Sequence, residues 1–126
     1  MTTDQASIEA VADRFFAAYA AADEDGIRAV LAPDFEGWTS SFGGRDLTVD
    51  TLVDGAKWEA DNVIDMTLDE VRRHVTESGF VRQFVIRLAN AGGAPIEIPG
   101  CMVALVANGR ITRFDEYLIV PTAGQE

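Results

Sequence analysis

The sequence predicts an α+β domain, with helices early in the chain packed on one face of a curved antiparallel sheet formed later. Three observations lead there. Apolar residues near the N-terminus recur at spacings of three and four, as on one face of a helix. The second half consists of long strand-like runs, and explicit turn signals separate them, Asn108-Gly109 being the strongest.

Ile8, Val11, Ala12, Phe15, Tyr19 and Ala22 draw the first helical stripe, with Thr2 or Thr3 placed to cap it. Gly26 interrupts "ADEDG", and "IRAVL" follows as a short second helix that Pro33 should close, because the residue before proline avoids helical angles. "DFEGWTSSFGG" reads as a short strand running into a loop. A third helix over "LTVDTLVDGAKWEADNV" has Thr48 or Asp50 as cap. Gly55 costs it about 1 kcal/mol relative to Ala.

Four strands should follow, over Asp65–Thr76, Phe80–Ala89, Ile96–Ala107 and Arg110–Val120, joined by "TESG", "NAGGAP" and "NG". Pro99-Gly100 inside the third of them predicts a bulge or bend. "TAGQE" reads as a frayed tail.

A chain of 126 residues fits one domain, taken as residues 1–126, and such domains bury roughly two thirds of their unfolded surface. With 48% hydrophobic and 25% charged residues, a packed core is expected rather than disorder. The net charge of -11 argues against nucleic acid, whose phosphates require clustered Lys and Arg. It also disfavours anionic membranes, and no run approaches the roughly 18 apolar residues of a membrane span. The single cysteine, Cys101, leaves no internal disulfide and no thiolate pair for a metal, which fits a reducing cytoplasm. His74, the only histidine, sits in a run of charges and reads as a solvated edge residue.

"RFFAAYAAADEDGIRAVLAPDFEGW" followed much later by "ALVANGRITRFDEYLIV" resembles the nuclear transport factor 2-like superfamily, in particular its SnoaL-like branch. The resemblance covers nearly the whole chain. It implies a cone in which a bent sheet wraps a long helix around a mostly apolar pocket, and a homodimer formed through the sheet. The superfamily hosts isomerases, epoxide hydrolases, dehydratases, polyketide cyclases and inert binders, so activity has to be argued from the site.

The ketosteroid isomerase pattern fails here. The first-strand position of the general-base Asp carries Thr39 or its neighbour Trp38, the helix tyrosine falls at Phe15 with Tyr19 a turn later, and the buried acid falls near Cys101. Epoxide-hydrolase-like members set an Arg between two acids, and Glu116 matches the closing-strand acid, with no second acid apparent. Independently of family, Glu116 shares a strand face with Phe114, Leu118 and Val120, where an ionised carboxylate costs several kcal/mol unless partnered.

Arg82, on a face with Phe84, Ile86 and Leu88, is the expected partner of Glu116. The pair reads either as a general base with its positioner or as an ion pair at the rim. A register slip of one residue would instead turn Gln83, Asp115 and Tyr117 inward. Tyr19, Trp38, Thr39, Trp58, Phe84, Cys101 and Phe114 complete the expected pocket, Tyr19, Trp38 and Trp58 having core or dimer packing as their alternative and Cys101 the role of a small buried hydrophobe. The expected ligand is a small apolar ring compound such as a polyketide or terpenoid, turned over without cofactor or metal; the alternatives are a non-catalytic binder and a scaffold with a filled cone.

Overall fold

The structure is a computed structural model that describes residues 4–63 and 65–120. Helix α1 spans Gln5–Ala20 and is capped by Asp4, whose carboxylate accepts from Ser7 N–H at 2.8 Å. Thr2 and Thr3, the expected caps, lie outside the described residues, as does the "TAGQE" tail. The predicted stripe holds: Ile8, Val11, Ala12 and Phe15 are all buried.

Helix α2 covers Glu24–Val30 and begins earlier than predicted. Gly26 does not break the helix. It lies in the first turn, where its N–H donates to the capping Asp23 at 3.1 Å. Nor does Pro33 close it, since the chain is already extended from Leu31 and Pro33 lies within strand β1, Leu31–Thr39. After a 3₁₀ turn comes a short strand, β2 (Arg45–Leu47), which the sequence does not predict; only its last residue, Leu47, falls in the helix expected there. Helix α3, Val49–Asn62, is capped as expected by Thr48, which exchanges hydrogen bonds with Thr51.

Strands β3 (Thr67–Val75), β4 (Gly79–Ala89), β5 (Pro95–Ala107) and β6 (Arg110–Leu118) match the predicted four within two residues at each end. The turns use the predicted chemistry. Thr76 Oγ1 accepts from Ser78 and Gly79 N–H, and Asn90 Oδ1 accepts from Gly92 and Ala94 N–H. Asn108 and Gly109 both take positive φ, as a two-residue turn between right-twisted strands requires. Pro99-Gly100 does not bulge: β4 and β5 pair without a shift, and the irregularity in β5 lies against β6 between Leu105 and Val106.

The six strands form one sheet in the order β2-β1-β6-β5-β4-β3. It is not wholly antiparallel as expected, because β1 runs parallel to β6. Only sequence neighbours are joined by hairpins, and β1 pairs with β6 across about three fifths of the chain, so no turn dictates their direction. Helices α1 and α3 lie on the concave side, and Phe15, Phe35, Phe80 and Phe114 are among the buried residues between the layers. Among the described residues, no helix is long and apolar enough to cross a membrane.

Gly79, which begins β4, pairs with Leu105, and a Cβ there would lie 1.8 Å from the Ala104 carbonyl oxygen. The contact is with backbone, so a side chain can enter only by parting β4 from β5. Gly79→Ala should therefore cost about 1–3 kcal/mol, the usual range for overpacking, as measured by urea denaturation; an unchanged midpoint would show that the strands separate freely there.

Candidate functional site

The alternation of strand residues decides what faces the concave side. Arg82 on β4, Met102 on β5, Glu116 on β6 and Thr39 on β1 are successive cross-strand partners and form one row across the sheet. The row lines a cavity of about 160 Å³ closed on its other side by α1 and α3. Phe15, Phe16 and Tyr19 come from α1, and Thr51, Gly55 and Glu59 from α3, the last three spaced by four so that they share a helix face. Phe84 and Phe114 stand beside the row. A filled cone is thus not what the chain builds.

The expected face is the inner one: Glu116 lines the cavity, while Tyr117 is exposed on the other side of the sheet. Thr39, only 3% exposed, donates its hydroxyl to Glu116 Oε1 at 3.0 Å. Burial pushes the Glu116 carboxyl above the ordinary carboxylate range, against the opposing effects of the Thr39 hydrogen bond and the Arg82 charge.

The expected Arg82–Glu116 pair is not formed. Arg82, 6% exposed, gives its Nε to Glu70 Oε2 at 2.8 Å, and its guanidinium lies 3.8 Å from the Phe16 ring centroid. Two strand spacings separate Arg82 from Glu116, with Met102 between them, whereas Glu70 is on the adjacent strand. Glu70 also accepts from Arg73, and Arg73 reaches Asp13 on α1 at 2.8 Å. Burial raises the Glu70 pKa, but hydrogen bonds from Arg82 and Arg73 outweigh it and hold the carboxyl below its ordinary value. Arg82 acts on Glu116 through its charge, not through contact.

Tyr19, Thr39, Phe84 and Phe114 are in the cavity as expected. Trp58, Trp38 and Cys101 are not. Trp58 is 61% exposed because it occupies the face of α3 that turns away from α1. Trp38 precedes the inward Thr39 and so points to the opposite face, where its ring packs 5.4 Å from that of Tyr117. Cys101 aligns with Gln83 and Tyr117 in the outward row. Val120 lies beyond the end of β6 and is half exposed. His74 is exposed on edge strand β3, as predicted.

Sequence reasoning missed Glu59. Burial raises its pKa above the ordinary range, the neighbouring Tyr19 hydroxyl opposes that, and the Glu116 charge adds to it. The Tyr19 phenol is raised as well, first by burial and then by Glu59, and so stays protonated. Glu59 is the second acid that the strand pattern did not supply. A signal existed in its four-residue spacing from Gly55 and Thr51, given the inward face of α3. Gly55 leaves the space under the Tyr19 hydroxyl open, since a Cβ there would lie 3.5 Å from that oxygen. Among the described residues, no group of three or more His, Cys, Asp or Glu could hold a metal ion.

A six-stranded sheet packed on one face by the helices α1 and α3 is the nuclear transport factor 2-like fold, and solved structures agree. A nuclear transport factor 2-like protein of unknown function from Burkholderia pseudomallei superimposes with a TM-score of 0.74 at 18% identity, covering 90% of this chain and 91% of that one. IdmH from Streptomyces antibioticus, provisionally described as a polyketide cyclase, gives a TM-score of 0.75 at 17% identity over 87% of this chain and 90% of its own. The model of the SnoaL-like domain matches residues 12–114, and the chain belongs to that family. The uncharacterized protein Rv0034 of Mycobacterium tuberculosis is 31% identical over 96% of this chain and 95% of its own length.

Because folding raises the Glu116 pKa, its contribution favours the folded state below the ordinary carboxylate pKa and is lost as pH rises through the raised one. Glu116→Gln keeps the shape and an acceptor for Thr39 without the charge. The variant should match the parent in acid and exceed it in stability at neutral pH, read by urea denaturation across the pH range. A variant that is the weaker of the two at neutral pH would show that the carboxylate is well solvated or paired.

Proposed function

We propose that the protein is a cofactor-independent enzyme of the cyclase, isomerase or hydrolase type, acting on a small, largely apolar ring compound of polyketide or terpenoid character. One observation carries this reading: Glu116 presents a desolvated carboxylate, steadied by Thr39, to a partly enclosed and mostly apolar cavity. A carboxyl whose pKa is raised above its ordinary value is a stronger base than a solvated one, which suits it to take a proton from a bound molecule and return it. Glu116 is the acid/base. Arg82, fixed by Glu70 and Phe16, supplies a positive charge that opposes complete neutralisation of Glu116.

Size narrows the substrate. An apolar cavity of about 150 Å³ holds benzene, so about 160 Å³ suits roughly one ring with its substituents. Phe15, Phe84 and Phe114 offer flat apolar walls, and the Tyr19 hydroxyl offers a hydrogen bond. Glu116→Gln should lower turnover of a ring substrate about a hundredfold to ten-thousandfold with the fold intact. Undiminished turnover would sink the acid/base role. If binding but no turnover is found in the parent protein, the cavity belongs to a carrier of the same ligand.

The outer face of the sheet supports a homodimer. Val71, Val103, Leu105 and Tyr117 are each more than 40% exposed there, an apolar grouping that a second copy can cover. Sedimentation should show a dimer, and Leu105→Glu should shift it toward monomer; a monomeric parent at micromolar concentration would refute the pairing.

A further inference from the structure

The cavity carries an imbalance of charge. The charged groups facing it are Glu59 from α3, Glu116 from β6, Arg82 from β4 and Arg45 from β2, while α1 contributes the neutral phenol of Tyr19. Behind Arg82 stands Glu70 from β3, bonded to it at 2.8 Å. Glu70 also bonds Arg73, which pairs in turn with Asp13, so that outer pair is balanced. With all groups ionised, the three glutamates exceed the two arginines by one negative charge. The Arg82 guanidinium is held by Glu70 and lies against Phe16.

The excess resides on two carboxylates set on opposite walls, one helical and one on the sheet. Neither wall offers full compensation. Among the described residues Glu116 accepts the Thr39 hydroxyl, and Glu59 faces a phenol. A desolvated carboxylate without full compensation is disfavoured, so one of the two is expected to take up a proton when no cation is bound. The rings of Phe15, Tyr19, Phe84 and Phe114 line the same cavity, and aromatic faces attract a desolvated cation.

We propose that the ligand of this cavity is a monocation of about one ring's size, a protonated amine, held between Glu59 and Glu116 and against the aromatic walls. The inference rests on the cavity being the ligand site, as read above, and adds the charge of the ligand. Binding is an exchange: the ammonium enters, the proton held on one of the carboxylates leaves to solvent, and the net charge of the cavity is unchanged. Affinity should then rise with pH as the carboxylates ionise. A neutral apolar ligand has the opposite dependence, because it favours the protonated, uncharged cavity.

The test is calorimetric titration of the whole protein with cyclohexylammonium chloride and, separately, with cyclohexanol, which has the same ring without the charge. At neutral pH the ammonium should bind at least about tenfold more tightly. Its affinity should rise between about pH 4 and 7, and its heat should differ between phosphate and Tris in proportion to the proton released. Glu59→Gln and Glu116→Gln should each remove the preference. Equal or tighter binding of cyclohexanol, or ammonium affinity that falls as pH rises, would overturn the charge assignment and leave the ring-binding cavity standing. If neither compound binds, the charge assignment and the ligand site fall together. The parent protein alone decides among these outcomes, so an unstable variant does not spoil the test.

Discussion

Everything in the cavity is referred to Phe114. Its ring, 1% exposed, packs against Phe15 of α1 at 5.7 Å and Phe35 of β1 at 5.1 Å, which fixes the distance between the long helix and the middle of the sheet. Strand geometry does the rest. Glu116 lies two residues further along the same face, about 6.6 Å up the strand, where the helix no longer fills the concavity. The same contact that closes the core therefore opens the site. It also explains how a carboxylate comes to stand in an apolar row: the row continues from core into cavity wall without changing face.

Charge is arranged so that the structural ions do not quench the site. Arg82, Glu70, Arg73 and Asp13 link β4, β3 and α1 in one chain of ion pairs. A buried guanidinium left alone would be costly, and Glu70 on the next strand satisfies it before Glu116 can. Met102 in the intervening position enforces the separation. Glu116 therefore keeps a desolvated carboxylate, whereas a direct pair with Arg82 would have fixed it as a permanent anion.

The elements whose cause is local were legible in the sequence. The strands after residue 65 are bounded by turn residues whose side chains make the turn, as Thr76 and Asn90 do, and the stripe on α1 needs only its own periodicity. Features set by distant partners were not legible. The parallel pairing of β1 with β6 leaves no local trace. Gly26 is a local misreading instead, since Asp23, three residues before it, caps the helix that a glycine there is expected to break. Trp38 and Cys101 were expected inside for what they are, yet strand alternation turns them outward once Thr39 and Met102 face in. Glu59 was hidden among the polar residues of α3, next to an exposed tryptophan, because only the packing of that helix shows which of its faces is wet.

Gly55 sits in the middle of α3, where glycine weakens a helix, and opposite the Tyr19 hydroxyl, where its missing side chain is empty volume. That position works as a dial on the size of the site. A single codon change there can shrink the chamber by one methyl or block it, while the sheet that carries Glu116 is untouched. A lineage built on this scaffold can thus change the dimensions of what it admits separately from the chemistry it applies, and the helix, not the sheet, is where such divergence would be written.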